Sequence, residues 1–288
     1  KSIEFSLMEK AAVSYYPSYV EEEAIHAIHP EYKIKAITAY VYEKFLENID
    51  KDFAKREGLL FVGGFAHPPN ADAVLWFAKE IFPLIRQRID VNFYVVGSKV
   101  TDEIKALEQP GSGIIVKGFV TEEELASLYS TSRIVVVPLR YGAGVKGKVV
   151  EAVYNGAAIV TTSIGSEGIP EADRVMKVAD GPEAFADEVV KMYQDPAECR
   201  RMCEETQKYI REYFSVEAAW KVIEEDFTPK KKIGLGCKVI YGIEYCDKTL
   251  PGIYFPAVCS HERKFRQKSG RSVVHGVKAC GMRLKRRI

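Results

Sequence analysis

The 288 residues are enough for one large or two modest domains with real cores, and 47% hydrophobic with 28% charged residues is ordinary for a globular chain, not a disordered or fibrous one. No apolar run approaches the ~20 residues that a membrane-spanning helix needs. The net charge of +1 hides a split, because residues 229–288 hold 15 Lys+Arg against 3 Asp+Glu and the remainder holds 26 against 37.

The chain opens at Lys1 with neither an initiator Met nor a secretory signal, and it reads as starting inside a domain, so a fragment is expected. Ala11 to Tyr16 reads as a strand, Val20 to Ile28 as a Glu-rich helix and Tyr32 to Ile37 as a second strand. Gly58 to Val62 is an apolar strand running into Gly63 and Gly64, where the absence of a Cβ lets a ligand approach the backbone. The run GGFAHPPN lacks the G-x-G-x-x-G spacing of a dinucleotide fingerprint, which argues against a nicotinamide-dependent oxidoreductase. His67 in that run reads as an exposed loop residue. Asn70 is a good cap for a helix from Ala71 to Ile89, in which Pro83 predicts a kink and Trp76 and Phe77 a core or domain contact.

Further along, Asn92 to Gly97 is a buried-strand run, Thr101 caps a short helix to Leu107, and Gly111 to Lys117 is another strand. Thr121 and Glu124 then have the T-x-x-E spacing of a capping box. Arg133 to Pro138 and Ala157 to Thr162 read as buried strands around a helix over Lys148 to Asn155, with Gly156 suited to the left-handed residue past its end. Arg174 to Val178 would be a sixth strand. Helices are expected from Pro182 to Tyr193, from Pro196 to about Tyr213 with Asp195 as cap, and from Ser215 to Phe227. Alternating strands and helices of this length imply an α/β fold, a doubly wound parallel sheet covered on both faces.

The most informative stretch is RIVVVPLRYGAGVKGKVVEAVYNGAAIVTTSIGSEG, residues 133–168. Arg140 to Gly147 is a basic loop with three glycines and no acid, feeding a helix N-terminus. Free N–H groups and the positive end of the helix dipole make such an end receptive to anions. Lys146 and Lys148 lie beside it, where a cation is otherwise mildly unfavourable, and a bound phosphate would resolve the conflict. Glu151 stands three residues beyond Lys148, within reach of ribose hydroxyls. The plainer alternative is a set of solvated residues at the end of an ordinary α/β loop. Gly63–Gly64, Gly97, Arg140 and Thr162–Gly165 all fall at the carboxyl ends of expected strands, where such sheets bind ligands.

The run GVKGKVVEAVYNGAAIVTTSIGSEG resembles the donor-binding signature of GT-B glycosyltransferases, in particular the large retaining family 4-like group that uses nucleotide sugars. Gly63–Gly64 and GFVTEEELASLY extend the likeness over about residues 10–227. It implies a Rossmann-like second domain of a GT-B fold over residues 51–228, preceded in residues 1–50 by the end of a partial first domain and a crossover from Ala39 to Asp50. The implied activity is hexosyltransferase-like transfer from a nucleotide-diphosphate sugar, with retention and without a metal. The nucleotide sugar is the co-substrate and no cofactor is expected. The acceptor is left open among glycan, lipid-linked and small-molecule classes. A cytoplasmic location is implied, with the inner face of the membrane compatible with it.

By the same resemblance, donor contacts fall on Gly63, Gly64, Arg140, Lys146, Lys148, Glu151, Ser163 and Gly165, and nucleobase contacts on Gly97, Ser98, Lys117 and Phe119. The family often has two glutamates eight positions apart; Glu151 fills the second position and Ala143 the first. Many relatives hold the pyrophosphate with Arg and Lys in the loop near Gly64 and Asn70, so the cationic role passes to Arg140, Lys146 and Lys148. No general base is identified. Loss of these groups keeps a second reading open, a non-catalytic nucleotide- or sugar-binding module.

Residues 229–288 show no comparable periodicity and carry Cys237, Cys246, Cys259 and Cys280 without a C-x-x-C pair for zinc. They are expected to be disordered or non-native, and their KKK and RLKRRI runs are the sole argument for a nucleic-acid partner. Cys199 and Cys203, four apart on an expected helix, read as small buried thiols.

Overall fold

A computed structural model describes residues 2–227; the expectations for residues 229–288 lie outside them. Six short apolar runs form one parallel sheet: β3 (Leu59–Val62), β4 (Phe93–Val96), β5 (Ile114–Gly118), β6 (Ile134–Val137), β7 (Ile159–Thr161) and β8 (Lys177–Val178). Every residue of β3 and β6 is buried, as apolar runs of this kind must be when helices cover both faces. Each fully buried Leu or Ile contributes roughly 1.5–3 kcal/mol of transfer free energy, so the sheet centre is also the energetic centre.

The spatial order is β5-β4-β3-β6-β7-β8. The chain therefore starts in the middle, winds out to β5, and returns to β6 on the other side of β3. Beyond the carboxyl ends of β3 and β6 the two halves diverge, which opens the crevice of a doubly wound sheet.

Helices α3 (Pro68–Trp76), α4 (Phe82–Arg86), α5 (Asp102–Lys105), α6 (Glu122–Thr131), α7 (Gly147–Tyr154), α8 (Ser163–Ser166), α9 (Pro182–Tyr193), α10 (Pro196–Phe214) and α11 (Val216–Phe227) complete this part. Caps are where the residue types place them. Thr101, Thr121 and Asp195 accept N–H groups of α5, α6 and α10, Ser215 Oγ accepts from Ala218, and Thr121 with Glu124 forms the reciprocal capping box. Gly156 takes φ +68° past α7.

Three expectations need correction. Asn70 is not a cap: Pro68 and Pro69 open α3 and His67 is the N-cap residue, held extended because a residue before proline avoids the helical region. Asn70 is thereby turned inward and buried. The long helix over 71–89 is interrupted before Pro83 by a π-helical segment, Phe77–Ile81, since proline offers no N–H to the preceding turn. The sixth strand shrinks to Lys177–Val178, because a 3-10 turn over Ala172–Arg174 takes its first residue, Val175 closes that turn, and Arg174 is drawn to Glu171, Glu205 and Glu212.

Phe77 is fully buried, Trp76 nearly so, and His67 is exposed. Cys199 and Cys203 are buried free thiols, and burial pushes the Cys199 thiol up to about 12, leaving it unreactive.

The N-terminal residues form a second, small cluster. Helix α1 (Ser2–Lys10), β1 (Ser14–Tyr16), α2 (Tyr19–His26) and β2 (Ile34–Ala36) build a two-stranded parallel sheet over Met8, Ile25 and Ile34. The following segment runs onto the main sheet's helices. Tyr42 N–H bonds the Phe214 carbonyl, and the Tyr42 ring stacks on Tyr154 of α7 at 4.2 Å.

Candidate functional site

The carboxyl end of β3 is built on glycine out of necessity. A Cβ at Gly63 would lie 2.9 Å from Asn70 Nδ2 and 3.2 Å from Lys148 Cε, and one at Gly97 would run into the Gly63 carbonyl. The inward-turned Asn70 donates to Gly64 O at 2.8 Å and accepts from Lys148 Nζ at 2.6 Å. One amide thus joins the loop after β3 to the first turn of α7, across the point where the sheet reverses. Gly63, Gly64, Gly97 and Lys148 meet there.

Helix α7 begins without the usual protections. Its N-cap residue is Lys146, no side chain caps it, and no acid lies in its first turn. The leading N–H groups of a helix have no partner within it. Here the positive end of the dipole faces two lysines rather than a carboxylate. Burial, with Lys146 as a second cause, holds the Lys148 ammonium down to about 8. Tyr40 comes close from the other side, its Oη 2.8 Å from where a Cβ on Gly147 would stand.

The other expected residues are placed unequally. Lys146 is buried and committed: Nζ donates to Gly144 O at 2.5 Å and to Glu167 Oε2 at 2.8 Å, clamping the loop before α7 to the loop after α8. Arg140 turns to α3, where its guanidinium forks onto Asp72 and lies over the Trp76 ring. A phosphate would have to compete with Asp72 for it. Glu151 is half-buried, within electrostatic reach of the Tyr129 hydroxyl, whose pKa is raised by burial first and by Glu151 second.

Ser163 gives its N–H and hydroxyl to Asp180 at 3.0 and 3.1 Å, and Gly165 gives its N–H to Thr162 Oγ1 at 3.2 Å. Ser98 O holds the Phe65 N–H. Lys117 and Phe119 lie at the end of the edge strand β5, and Phe119 is 71% exposed. Among the described residues no group of three His, Cys, Asp or Glu side chains is placed to hold a metal. The Asp50-Lys51-Asp52 sequence is engaged locally, Asp52 with Lys55 and Asp50 with the Asp52 N–H.

Residues 56–195 match the family described as glycosyl transferases group 1. The match covers 140 of the 288 residues, from the loop before β3 to just past the end of α9. An uncharacterized 44.6 kDa protein in the cps region of Klebsiella pneumoniae is 30% identical over 142 residues, 47% of this chain and 34% of that protein. The chain thus spans about a third of the curated relative it matches.

Solved structures resemble the whole described region. TarM of S. aureus, complexed with fondaparinux, alpha-GlcNAc-glycerol and UDP, matches at TM-score 0.61 and 14% identity, over 77% of this chain and 45% of TarM. Sucrose-phosphate synthase from Thermosynechococcus elongatus matches at 0.58 and 18%, over 78% and 60%. The pneumococcal O-GlcNAc transferase GtfA, with UDP and GlcNAc, matches at 0.57 and 16%, over 77% and 45%. At these identities the likeness is one of fold, and that fold is GT-B.

Three residues that the structure brings to this site have no ligand-side role in the sequence analysis. Asn70 was assigned a cap, and Asp72 and Glu167 were given no role. A polar residue directly after a Pro-Pro pair falls inside the first turn, and this signal could have identified Asn70. Nothing local marks Asp72 or Glu167, whose partners lie 68 and 21 positions away.

Proposed function

We propose that the chain is the donor-side part of a glycosyltransferase, binding a nucleotide-diphosphate sugar in the crevice between β3 and β6. The observation that carries the reading is Lys148. It is a half-buried ammonium whose hydrogen-bond partner is a neutral amide, at the uncapped start of α7 and against a glycine backbone. A diphosphate there would meet the ammonium, the first N–H groups of α7 and the Gly63–Gly64 backbone together.

In transfer, the bond between the anomeric carbon and the distal phosphate oxygen breaks and negative charge grows on the leaving diphosphate. Fixed donors aimed at that charge are worth most in a site shielded from water. Glu151 would take the ribose hydroxyls, with Gly97, Ser98, Lys117 and Phe119 toward the base. Arg140, Lys146, Ser163 and Gly165 would shape the loops around the phosphates. Retention and independence of metal are part of the proposal, resting on the family likeness. Residues 1–50 fit the end of an acceptor-side domain and its crossover, since they keep a core of their own around Met8, Ile25 and Ile34.

Calorimetric titration of the chain with UDP, GDP and ADP, beside Lys148→Ala and Glu151→Ala, tests this. The solved TarM and GtfA complexes contain UDP, which makes it the first nucleotide to try. One diphosphate should bind, and both variants should weaken it. No binding, or variants equal to the parent, would sink the reading. Ala143 favours a second reading, binding without transfer, because it leaves the sugar side of the loop without a carboxylate. Transfer or donor hydrolysis by the full-length protein would exclude that alternative.

A further inference from the structure

The crossover between the N-terminal cluster and the sheet does more than connect them. Thr38 Oγ1 accepts the Tyr40 N–H at 3.1 Å and donates to the Tyr40 carbonyl at 3.0 Å, a local turn that fixes the backbone at this point. Two residues on, Tyr42 is pinned by its hydrogen bond to Phe214 O and its stack on Tyr154. Between the two anchors, the Tyr40 ring has little freedom. Oη, Cε1 and Cζ lie 2.8, 3.0 and 3.1 Å from the position of a Cβ on Gly147, the first residue of α7. The side chain therefore lies on the uncapped helix end, and Gly147 is the residue that leaves room for it. Its hydroxyl makes no hydrogen bond to another described residue, whereas the phenols of Tyr15, Tyr16 and Tyr209 are all engaged.

We propose that the Tyr40 hydroxyl is a further donor to the anion held at α7, giving its proton to a phosphate oxygen of the nucleoside diphosphate alongside Lys148 Nζ and the helix N–H groups. The inference rests on the donor-site reading above and deepens it. It places a phosphate contact on the crossover, outside the segment that matches the family. A residue whose hydroxyl recognises phosphate also ties occupancy of the site to the position of the strap joining the two parts of the chain.

The test is titration of the full chain with UDP, GDP and ADP, and with the matching nucleosides, for the parent, Tyr40→Phe and Lys148→Ala. The Phe variant keeps the ring that packs on Gly147 and removes the one donor. Losing a hydrogen bond to a charged group predicts diphosphate binding about tenfold weaker, with nucleoside binding and melting temperature unchanged. Should Tyr40→Phe bind the diphosphate like the parent while Lys148→Ala weakens it, the inference falls and the donor site stands. A loss for Tyr40→Phe that is equal for nucleoside, or that accompanies a lower melting temperature, would mark a packing role and also overturn it. If the parent binds none of the three diphosphates, both readings fall together.

Discussion

Helices α6 and α7 belong to the same sheet and start in opposite ways. The α6 end is closed upon itself: Thr121 caps it, Glu124 returns the bond at 2.9 Å, and Glu122, Glu123 and Glu124 face its dipole. Among the described residues the α7 end has no side-chain cap and no acid in its first turn, and it carries two lysines, one of them paired with Glu167. A side-chain cap and first-turn acids are present in one and missing in the other. A helix start that stabilises itself has no use for a ligand. The one left electrostatically unfavourable is at the reversal of the sheet, between two glycine-lined strand ends, where an anion would complete it.

The largest effect should come from breaking the one compensated cation at the α7 end. Glu167→Ala leaves Lys146 buried without its counter-charge, and unfolding in urea should show a loss of about 3 kcal/mol. A smaller loss would mean that the Gly144 carbonyl and water suffice for this ammonium. Lys148→Ala should act on binding instead. Diphosphate affinity should fall by about 2 kcal/mol, while stability stays level or rises because a desolvated charge has gone. The reverse outcome, lower stability with intact binding, would make Lys148 a structural residue.

The matching change at the other helix gives the contrast its control. Thr121→Ala should cost about 1 kcal/mol of stability and leave nucleotide binding untouched. A change in nucleotide affinity there would show that the two helix starts are not independent.

A last effect is in pH. Lys148 titrates near 8 in the folded chain, against 10.5 as its ordinary value, because burial and Lys146 disfavour its charge. Between those two values the unfolded chain holds more protons, so this group makes stability rise with pH across about 8 to 10.5; below 8 its cost is constant. Diphosphate affinity should fall through the same window. Urea unfolding of the parent and of Lys148→Met at pH 7.5 and 9.5 checks it: the gap between them should narrow at the higher pH, and a constant gap would contradict the shift.

Local rules read well in this chain. The capping box at Thr121, the caps at Thr101 and Asp195 and the left-handed Gly156 are each set by two to four neighbouring residues, so they survive any change of surroundings. Helices α9 and α10 were legible for the same reason, with Pro182 and Pro196 marking their starts. The glycines at 63, 64 and 97 were visible as strand ends, although not what each makes room for. Around Pro83 the rule was right about the disturbance and wrong about its form, since a π-helical segment relieved the missing N–H one turn earlier.

Residue types and periodicity determined the parallel α/β architecture, the positions of the strand ends and the basic, uncapped start of α7. Those depend on backbone geometry and on neighbours a turn away. Which cation is left for a ligand was decided only in three dimensions. Arg140, Lys146 and Lys148 look alike in and beside one basic loop, but among the described residues Asp72 takes the first, Glu167 the second, and the third bonds the amide of Asn70. Charge pairing acts over a few ångströms of space, and those partners stand 68, 21 and 78 positions away along the chain. Folding, not spacing, brings them within that range.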